Sequence, residues 1–275
     1  MDSKSKLKID IDRVLRSKSP KHYKKIPKFI INYLKRLVHQ DDINAIIARH
    51  HDKQGVEFMQ ALVDEEFQVT LRVHGKENIP DTGKFIFVAN HPLGGLDGIC
   101  LSAYLGKKYN NKIKYLVNDV LLNIKNLETI FVPINKYGTQ AKESVKAINE
   151  AYASDNQIIT FPAGLCSRKQ NGEIKDLTWM KNFVVKAVEY KRDIVPIYFD
   201  GRNSSLFYNI ANLRKKIGIK FNIELILLPR ELFKNKQQTF DIIFGKRISW
   251  QSLDHSKTPL QWARQIKEQT YALKR

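Results

Sequence analysis

Residues 90–98 read Asn-His-Pro-Leu-Gly-Gly-Leu-Asp-Gly, and the interpretation of the whole chain starts from this stretch. The six residues before it (84–89, Lys-Phe-Ile-Phe-Val-Ala) are mostly apolar and rich in β-forming side chains, which predicts a buried strand. The residues after it, from Ile99 to Leu105, have the apolar spacing of a helix. The sequence therefore predicts a strand, a glycine-rich turn and a helix, with His91 and Asp97 at the two ends of the turn.

The alternation of strand and helix continues outward from this stretch. Predicted strands cover residues 67–73, 85–89, 113–117, 129–134, 157–161, 194–199, 223–228 and 240–244. Predicted helices cover residues 26–38, 43–47, 139–154 and 177–190, and a last helix opens at Thr258 and Pro259. The pattern indicates an α/β fold with a mixed, largely parallel sheet flanked by helices. Composition suggests one boundary near residues 60–65, between a small basic N-terminal helical region (1–62) and the main domain (63–275).

The chain of 275 residues is strongly basic, with 47 Lys and Arg against 28 Asp and Glu and a formal charge of +19. A surplus of this size predicts a polyanionic partner: nucleic acid, an anionic membrane surface or an acidic carrier protein. None of the common nucleic-acid-binding motifs is present, so we do not expect a nucleic acid partner. Cys100 and Cys166 form no CxxC motif and are expected to be free thiols in a reducing cytoplasm.

The N-terminal region combines positive charge with an amphipathic helix. Its apolar residues recur at steps of three and four and so share one helical face: Ile26, Phe29, Ile30, Tyr33, Leu34, Leu37 and Val38. Lysines surround that face, and Asp41 or Asp42 is expected to cap the next helix. Such a helix either lies on an anionic bilayer or packs on its own domain while its lysines face water. No run approaches the roughly 18–20 apolar residues of a spanning helix, and no secretory signal is recognised, so we expect a peripheral protein.

Polar loops follow four of the predicted strands. They are His91 to Asp97, Asn135-Lys136, Pro162 to Arg168, and Asp200 to Asn203. In open α/β sheets, sites form in the loops beyond the carboxyl ends of the strands. We therefore expect these loops to bring His, Asp, Arg, Asn and Ser side chains together at one edge of the sheet.

His91 and Asp97 can meet only if the chain turns between them. Six residues along a helix would leave them about 240° apart, on different faces. Gly94 and Gly95 permit a turn because glycine tolerates positive φ and close backbone approach. Asp97 in the first helical turn could then accept a hydrogen bond from one imidazole nitrogen and leave the other free as a base. The alternative is purely structural: Asp97 caps the helix, and the neighbouring His91 takes no part in a reaction.

The sequence gives less support for a catalytic or binding role of the other polar residues. Cys166 has no second histidine nearby in sequence, and Ser167 lacks the Gly-x-Ser-x-Gly turn of a serine hydrolase. Lys181 and Arg202 each follow one of the polar loops, and are either solvated charges or substrate contacts. The pair His50-His51 is expected at the surface.

Together the four loops resemble the four motifs of the glycerolipid (lysophosphatidic-acid-type) acyltransferase superfamily. That family combines an Asn-His-x4-Asp motif, a strand with an arginine nearby, a Phe-Pro-Glu-Gly-Thr-Arg-Ser motif and a Val-Pro-Ile/Val strand. The corresponding residues are Asn90-His91…Asp97, Ile130 to Ile134, Phe161 to Arg168 and Val195-Pro196-Ile197. The His–Asp spacing here has one extra residue, and Ala163 replaces the family's glutamate, which is associated with gripping a glycerol-phosphate acceptor. The motifs look like those of a bacterial branch often labelled hemolysin or amino-acid-lipid (ornithine or glycine lipid) O-acyltransferase.

The resemblance implies an O-acyltransferase of membrane lipid biosynthesis that works at the inner face of the cell membrane. It would move a fatty acyl group from acyl carrier protein or coenzyme A, as co-substrate, to the hydroxyl of a lyso-lipid, with no cofactor or metal. The acceptor would be an N-acyl amino-acid lipid, because Ala163 argues against lysophosphatidic acid.

The same resemblance implies roles for individual residues. His91 is the expected general base and Asp97 its orienting partner. Arg168 is expected to clamp the acceptor's phosphate or carboxylate, and glycine amides to stabilise the oxyanion. The full set of expected substrate-binding residues is Asn90, Gly94, Gly95, Asn135, Gly164, Ser167, Arg168, Lys181 and Arg202. The alternatives are a 1-acylglycerol-3-phosphate acyltransferase, a lipid hydrolase on the same fold, and a non-enzymatic basic module that binds anionic surfaces.

Overall fold

The computed structural model describes residues 9–18, 23, 25–117, 124–134 and 140–275. The α-helices of these residues are α1 (Ile11–Lys18), α2 (Lys28–Leu37), α3 (Gln40–Arg49), α4 (Gly55–Ala61), α5 (Leu96–Lys108), α6 (Gln140–Ala153), α7 (Asn182–Glu189), α8 (Ser205–Lys216), α9 (Leu228–Lys234) and α10 (Pro259–Ala272). The strands are β1 (Thr70–His74), β2 (Phe85–Ala89), β3 (Ile113–Val117), β4 (Phe131–Pro133), β5 (Gln157–Thr160), β6 (Arg168–Gln170), β7 (Glu173–Lys175), β8 (Asp193–Phe199) and β9 (Thr239–Phe244).

Seven strands form one sheet in the order β1-β9-β8-β2-β5-β3-β4, and β6 and β7 form a separate hairpin. Strands β8, β2, β5, β3 and β4 run parallel, whereas β9 is antiparallel to β8 and parallel to β1. This topology confirms the predicted mixed, largely parallel sheet. Because β8, β2 and β5 are adjacent and parallel, the loops that follow them open at the same edge.

The central strand β2 is buried on both faces of the sheet. Phe85, Phe87 and Ala89 belong to one core cluster and Ile86 and Val88 to another, as the two-residue period of a strand requires. Helices α4 and α5 pack on the first face, and α6, α7 and α10 on the second. A strand covered on both faces is a continuous apolar run in sequence, which is why this strand could be predicted.

The helices before β1 pack on the same core as the sheet. Ile46 and Ile47 of α3 lie in the first core cluster, and α4 continues into a π-helical turn (Leu62–Glu66) whose first two side chains are also in that cluster. The boundary expected near residue 62 therefore lies within a continuous helical segment, and the division into two domains stays a prediction. Within the described ranges, no helix has both the length and the apolar character needed to cross a bilayer.

Two local expectations for the N-terminal region were wrong. Helix α3 is preceded by His39, whose φ of 51° is left-handed, so Asp41 and Asp42 fall in the first turn and neither caps the helix. His50 is only 5% exposed: its ring packs edge-on against Phe58, and its Nε2 forms a 2.8 Å hydrogen bond with Glu66. Its neighbour His51 is exposed, as expected.

Two elements of the C-terminal half also differ from the prediction. The strand expected at residues 223–228 is a 3₁₀ helix (Ile223–Leu227) that leads directly into α9, because Glu224 is held inside the protein by two arginines. The helix expected from residue 177 begins at Asn182. Residues 177–181 are held outside the helix, since Met180 N–H donates to the carbonyl oxygen of Pro162. The expected cap of the last helix is confirmed, because Thr258 forms a capping box with Gln261.

Candidate active site

Three of the four polar loops meet at one edge of the sheet. The loop after β2, which contains His91, lies between the loops that follow β5 and β8. Ser167 N–H donates to the carbonyl oxygen of His91 at 2.7 Å, and Asn203 Nδ2 donates to that of Pro92 at 3.3 Å. The remaining loop follows β4, and its predicted site residue Asn135 lies outside the described residues.

The structure brings His91 and Asp97 into direct contact. Imidazole Nδ1 lies 2.9 Å from Asp97 Oδ2, and the carboxylate is fully buried in the first turn of α5. The same oxygen accepts hydrogen bonds from Leu93 N–H at 2.9 Å and Gly94 N–H at 3.3 Å. Gly94 has a φ of 75°, so the glycine turn supplies the reversal that this contact needs.

The geometry selects one tautomer of His91. An ionised carboxylate can only accept, so Nδ1 carries the proton and Nε2 has the free lone pair. Among the described residues, no group forms a hydrogen bond with Nε2, and 14% of the side chain stays exposed. Phe161, from the loop after β5, stacks on the imidazole with ring centroids 4.1 Å apart. The ring is therefore fixed in orientation and keeps one accessible basic nitrogen.

Burial and charge act in opposite directions on the two titrating groups. Burial alone would lower the pKa of His91, but the adjacent Asp97 carboxylate outweighs it and the pKa of His91 is raised. Burial would likewise raise the pKa of Asp97, but His91 and the backbone amides of Leu93 and Gly98 hold it below its usual range. Asp97 thus stays ionised and favours the protonated form of the imidazole.

Asp176 is a buried carboxylate at this site that sequence reasoning missed. It accepts hydrogen bonds from His91 N–H at 3.2 Å, Ser167 Oγ at 2.6 Å and Trp179 Nε1 at 2.8 Å. Burial raises the pKa of Asp176. Asp176 lies between β7 and α7 and belongs to no recognised motif. Its hydrogen-bond partner His91 is distant in sequence, so its role could be identified only from the folded structure. Asp176 links the loop that contains His91 to the loop that contains Ser167.

The side chains of two residues that were expected to contact substrate form hydrogen bonds within the protein. Asn90 Nδ2 donates to the carbonyl oxygen of Phe199 at 2.9 Å, and Asn90 Oδ1 accepts from Phe199 N–H at 2.7 Å. The amide of Asn90 therefore fixes the end of β2 to the end of β8. Ser167 is 1% exposed and is bound to Asp176 as described. Both side chains support the loops in this structure.

Arg168 also binds groups of the protein itself, whereas it was expected to clamp the acceptor. It is 7% exposed, donates from Nη1 to the carbonyl oxygen of Cys166 at 2.6 Å, and donates from Nη2 to Glu224 at 2.8 Å. Arg214 of α8 binds the same carboxylate, with its Nε 2.8 Å from Glu224 Oε2. A buried carboxylate with two arginines leaves one net positive charge and fixes residues 223–227 beside the loop after β5.

The three glycines expected to supply oxyanion donors are not equivalent. Gly94 N–H already donates to Asp97, and Gly164 N–H donates to the carbonyl oxygen of Phe161 at 3.0 Å. None of the described residues accepts a hydrogen bond from Gly95 N–H. A side chain added at Gly95 would meet no atom within 4 Å, so there is open space beside it. Gly95 is thus the glycine whose amide is available to a bound group.

The remaining candidates lie at the margin of the site or are chemically unsuited. Lys181, at the start of α7, and Arg202, after β8, are both exposed. Burial raises the pKa of Cys166 to about 11, so its thiol stays protonated near neutral pH. Among the described residues, no three His, Cys, Asp or Glu side chains lie together as metal ligands would.

Comparison with known proteins places this chain in a family. A family model described as Acyltransferase matches residues 13–275. The lyso-glycine lipid O-acyltransferase of Bacteroides thetaiotaomicron is 52% identical over 265 residues, which are 96% of this chain and 97% of that protein. The protein of the same name from Phocaeicola vulgatus is 49% identical over 265 residues, 96% of this chain and 95% of that one.

The fold resembles a solved structure at much lower sequence identity. The crystal structure of the 1-acyl-sn-glycerophosphate (LPA) acyltransferase PlsC from Thermotoga maritima has a TM-score of 0.50 and 15% identity, and the match covers 79% of this chain and 78% of that one. At this identity the likeness concerns the fold, and the family rests on the sequence matches. The chain belongs to the glycerolipid acyltransferase superfamily and is an acyltransferase enzyme.

Proposed function

We propose that this protein transfers a fatty acyl group from an acyl thioester to the hydroxyl of an N-acyl amino-acid lyso-lipid, and that the amino acid is glycine. The observation that carries the proposal is the oriented His91–Asp97 pair with a free Nε2, in a chain about half identical to two lyso-glycine lipid O-acyltransferases over nearly its whole length. The thioester is carried by acyl carrier protein or coenzyme A, and the product is a diacylated membrane lipid.

The chemistry follows from the free nitrogen. Nε2 of His91 takes the proton of the acceptor hydroxyl as its oxygen attacks the thioester carbonyl, and Asp97 stabilises the imidazolium that forms. Gly95 N–H, from which none of the described residues accepts a hydrogen bond, donates to the oxyanion of the tetrahedral intermediate. Collapse of the intermediate breaks the carbon–sulfur bond, and the thiolate takes the proton back from His91. No group on the protein is acylated, which agrees with the protonated Cys166.

Purified protein given a radiolabelled acyl thioester and an N-(hydroxyacyl)glycine is expected to form a labelled ester lipid. Acyl carrier protein and coenzyme A donors are tested separately, and lipids are resolved by chromatography and mass spectrometry. The matched acceptor is a 1-acylglycerol-3-phosphate of equal chain length. Ala163 stands where the superfamily has glutamate, so we expect the glycine lipid to be the better acceptor.

The outcomes of this assay separate the competing functions. Preferential use of the glycerol-phosphate acceptor would contradict the assigned acceptor, and labelled free fatty acid without ester would show a hydrolase. Binding to anionic vesicles or DNA with no consumption of thioester would show a basic binding module.

The enzyme works as a peripheral protein on the cytoplasmic face of the cell membrane, where its lyso-lipid is dissolved. Helix α2 supports this proposal because its two faces are used differently. Ile31 is 5% exposed and packs inward, whereas Phe29 is 72% exposed and Tyr33 62%. The exposed basic residues Lys28 and Arg36 flank these rings. Packing on the domain and contact with an anionic surface are therefore compatible in one helix.

Helix α8 supports the same proposal with a stripe of exposed apolar side chains. Phe207, Tyr208 and Ala211 are buried, whereas Leu213 is 58% exposed and Ile217, just after the helix, 61%. The stripe continues into the following loop and consists of Leu206, Leu213, Ile217, Ile219 and Phe221. Three exposed lysines lie between these residues in sequence: Lys215, Lys216 and Lys220. Exposed aliphatic and aromatic side chains among lysines are suited to the headgroup region of an anionic bilayer.

Replacing Leu213 and Ile217 together by Ser is expected to weaken binding to vesicles containing phosphatidylglycerol at least about tenfold, because two aliphatic side chains no longer enter the bilayer. Vesicle co-sedimentation measures this change. Val145→Ser, which removes a 55% exposed aliphatic side chain from α6, is the matched control. Equal binding by the double variant and wild type would exclude this stripe as membrane surface. Activity on a short-chain, water-soluble acceptor should be unaffected.

A further inference from the structure

Lys267 on α10 is a partly buried cation without a carboxylate partner. Its ammonium donates to the backbone carbonyl oxygens of Asp176 at 2.7 Å and Leu177 at 2.9 Å. Among the described residues, no carboxylate oxygen lies within ion-pair distance of this nitrogen. An ammonium has three N–H donors, so one donor and a full positive charge are left over. Burial lowers the pKa of Lys267 although the Asp176 carboxylate opposes this, so the charge is poorly solvated where it stands.

This lysine lines an open depression beside the candidate active site. The depression has a volume of about 670 Å³, and Ala163, Met180 and Lys267 contribute to its walls. Lys175 also lines it, but its ammonium is paired with Glu173 at 2.5 Å. Lys267 is therefore the cation in this wall that a bound anion would find without a carboxylate partner, its ammonium lying 5.9 Å from the centroid of the Tyr271 ring.

The depression adjoins the loop of His91 through two short connections. Ala163 is two residues after Phe161, whose ring stacks on the imidazole. Asp176, whose carbonyl oxygen holds Lys267, accepts the backbone N–H of His91 through its side chain. The depression and the loop of His91 are therefore neighbours that share Asp176 and the loop after β5. Met180 is 55% exposed at the same wall and offers an apolar surface to an acyl chain.

We propose that Lys267 binds the carboxylate of the acceptor lipid, and that the small side chain of Ala163 leaves room for it. This inference rests on the function proposed above and specifies its acceptor site. A glycine that is acylated on nitrogen keeps one ionisable group, its carboxylate. Glycine has no hydroxyl, so the ester must form on a hydroxyl of the amide-linked chain, some bonds away from the carboxylate. Such an acceptor needs a cation at a position separate from the base, and Lys267 is held on a different element from His91.

The test compares two acceptors that differ only in this charge: an N-(hydroxyacyl)glycine and the corresponding N-(hydroxyacyl)glycinamide. A charge-assisted hydrogen bond makes the wild-type kcat/KM about 10- to 100-fold higher for the carboxylate than for the amide. Lys267→Met is expected to bring the two values close to parity by lowering only the carboxylate value. Lys267→Arg keeps the charge and should retain part of the preference. Arg264→Met removes an exposed cation from the same helix and should leave the preference unchanged.

A second variant keeps the test informative if Lys267 is also needed for folding. Ala163→Glu removes neither backbone acceptor of Lys267 but adds a negative charge to the depression, so it should lower activity with the carboxylate more than with the amide. Equal use of both acceptors by the wild type, or a full preference in Lys267→Met, would overturn the carboxylate site while leaving the proposed function intact. No transfer to either acceptor would overturn both.

Discussion

His91→Ala is expected to lower kcat by about 10²- to 10⁴-fold, the usual contribution of a positioned general base. Two described groups near the imidazole are unsuited to replace it. Asp97 is fully buried behind the imidazole, and the Cys166 thiol is protonated at neutral pH. Asp97 Oδ2 loses the imidazole in this variant but keeps the Leu93 and Gly94 N–H donors, so the loss should appear in turnover while the fold persists. Single-turnover measurements with a labelled acyl thioester would separate the chemical step from product release.

The matched control for this variant is His51→Ala. His51 is an exposed histidine outside the site, bonded only to the carbonyl oxygen of Ala48 among the described residues, so its loss should change neither activity nor thermal stability. If His91→Ala kept a turnover within a few-fold of wild type while remaining folded, His91 would not be the base. A variant that lost ester formation but still released free fatty acid would show that His91 serves the acceptor and not the thioester.

The pH profile gives an independent reading of the same residue. A general base must be neutral to accept a proton, so kcat/KM should rise with pH through the pKa of His91 and then level off. Because Asp97 raises that pKa, the rise should lie above the range of an unperturbed imidazole. This expectation concerns activity only, and is measured with a donor and acceptor that do not titrate in the same range.

The parts of the fold that could be predicted are those whose signal is local. Strand β2 and the turn after it are a run of apolar residues followed by two glycines, and each feature has a direct structural cause: burial on both faces and a φ of 75° at Gly94. The contact between His91 and Asp97 was predictable for the same reason, since only the turn could bring them together. The roles given to these residues in catalysis stay predictions until the variants are measured.

The parts that could not be predicted depend on partners distant in sequence. Residues 223–228 have the composition of a strand, but Glu224 is drawn inside by Arg168, more than fifty residues earlier, and the segment becomes a 3₁₀ helix. Asp176 is a single aspartate with no motif until His91 and Ser167 are placed beside it. The same distant pairing holds Arg168 against Glu224, and its expected contact with substrate stays a prediction.

The isosteric Asp97→Asn substitution is expected to lower kcat/KM by about 10²- to 10⁴-fold and to move its acid limb to lower pH. Asp97 Oδ2 faces His91 Nδ1 and two backbone N–H groups, so the asparagine oxygen should occupy that position and keep the tautomer of His91. The new amide NH₂ then faces Gly98 N–H, which loses its acceptor, at a cost of about 1–3 kcal/mol in the free energy of unfolding.

The two kinetic effects of Asp97→Asn have opposite signs, and that combination is diagnostic. Without the Asp97 carboxylate the largest remaining influence on the pKa of His91 is burial, so this pKa falls and the neutral base persists to lower pH. The imidazolium formed during reaction is at the same time no longer stabilised. A purely structural disturbance would lower the plateau without moving the limb in this direction. Asp241→Asn is the matched control, because the Asp241 carboxylate pairs with His74 at 2.6 Å and with Arg72, both on strand β1, and not with His91. If the acid limb of the pH profile does not move in Asp97→Asn, Asp97 does not set the basicity of His91. If Asp241→Asn also loses activity, the effect is not specific to the site.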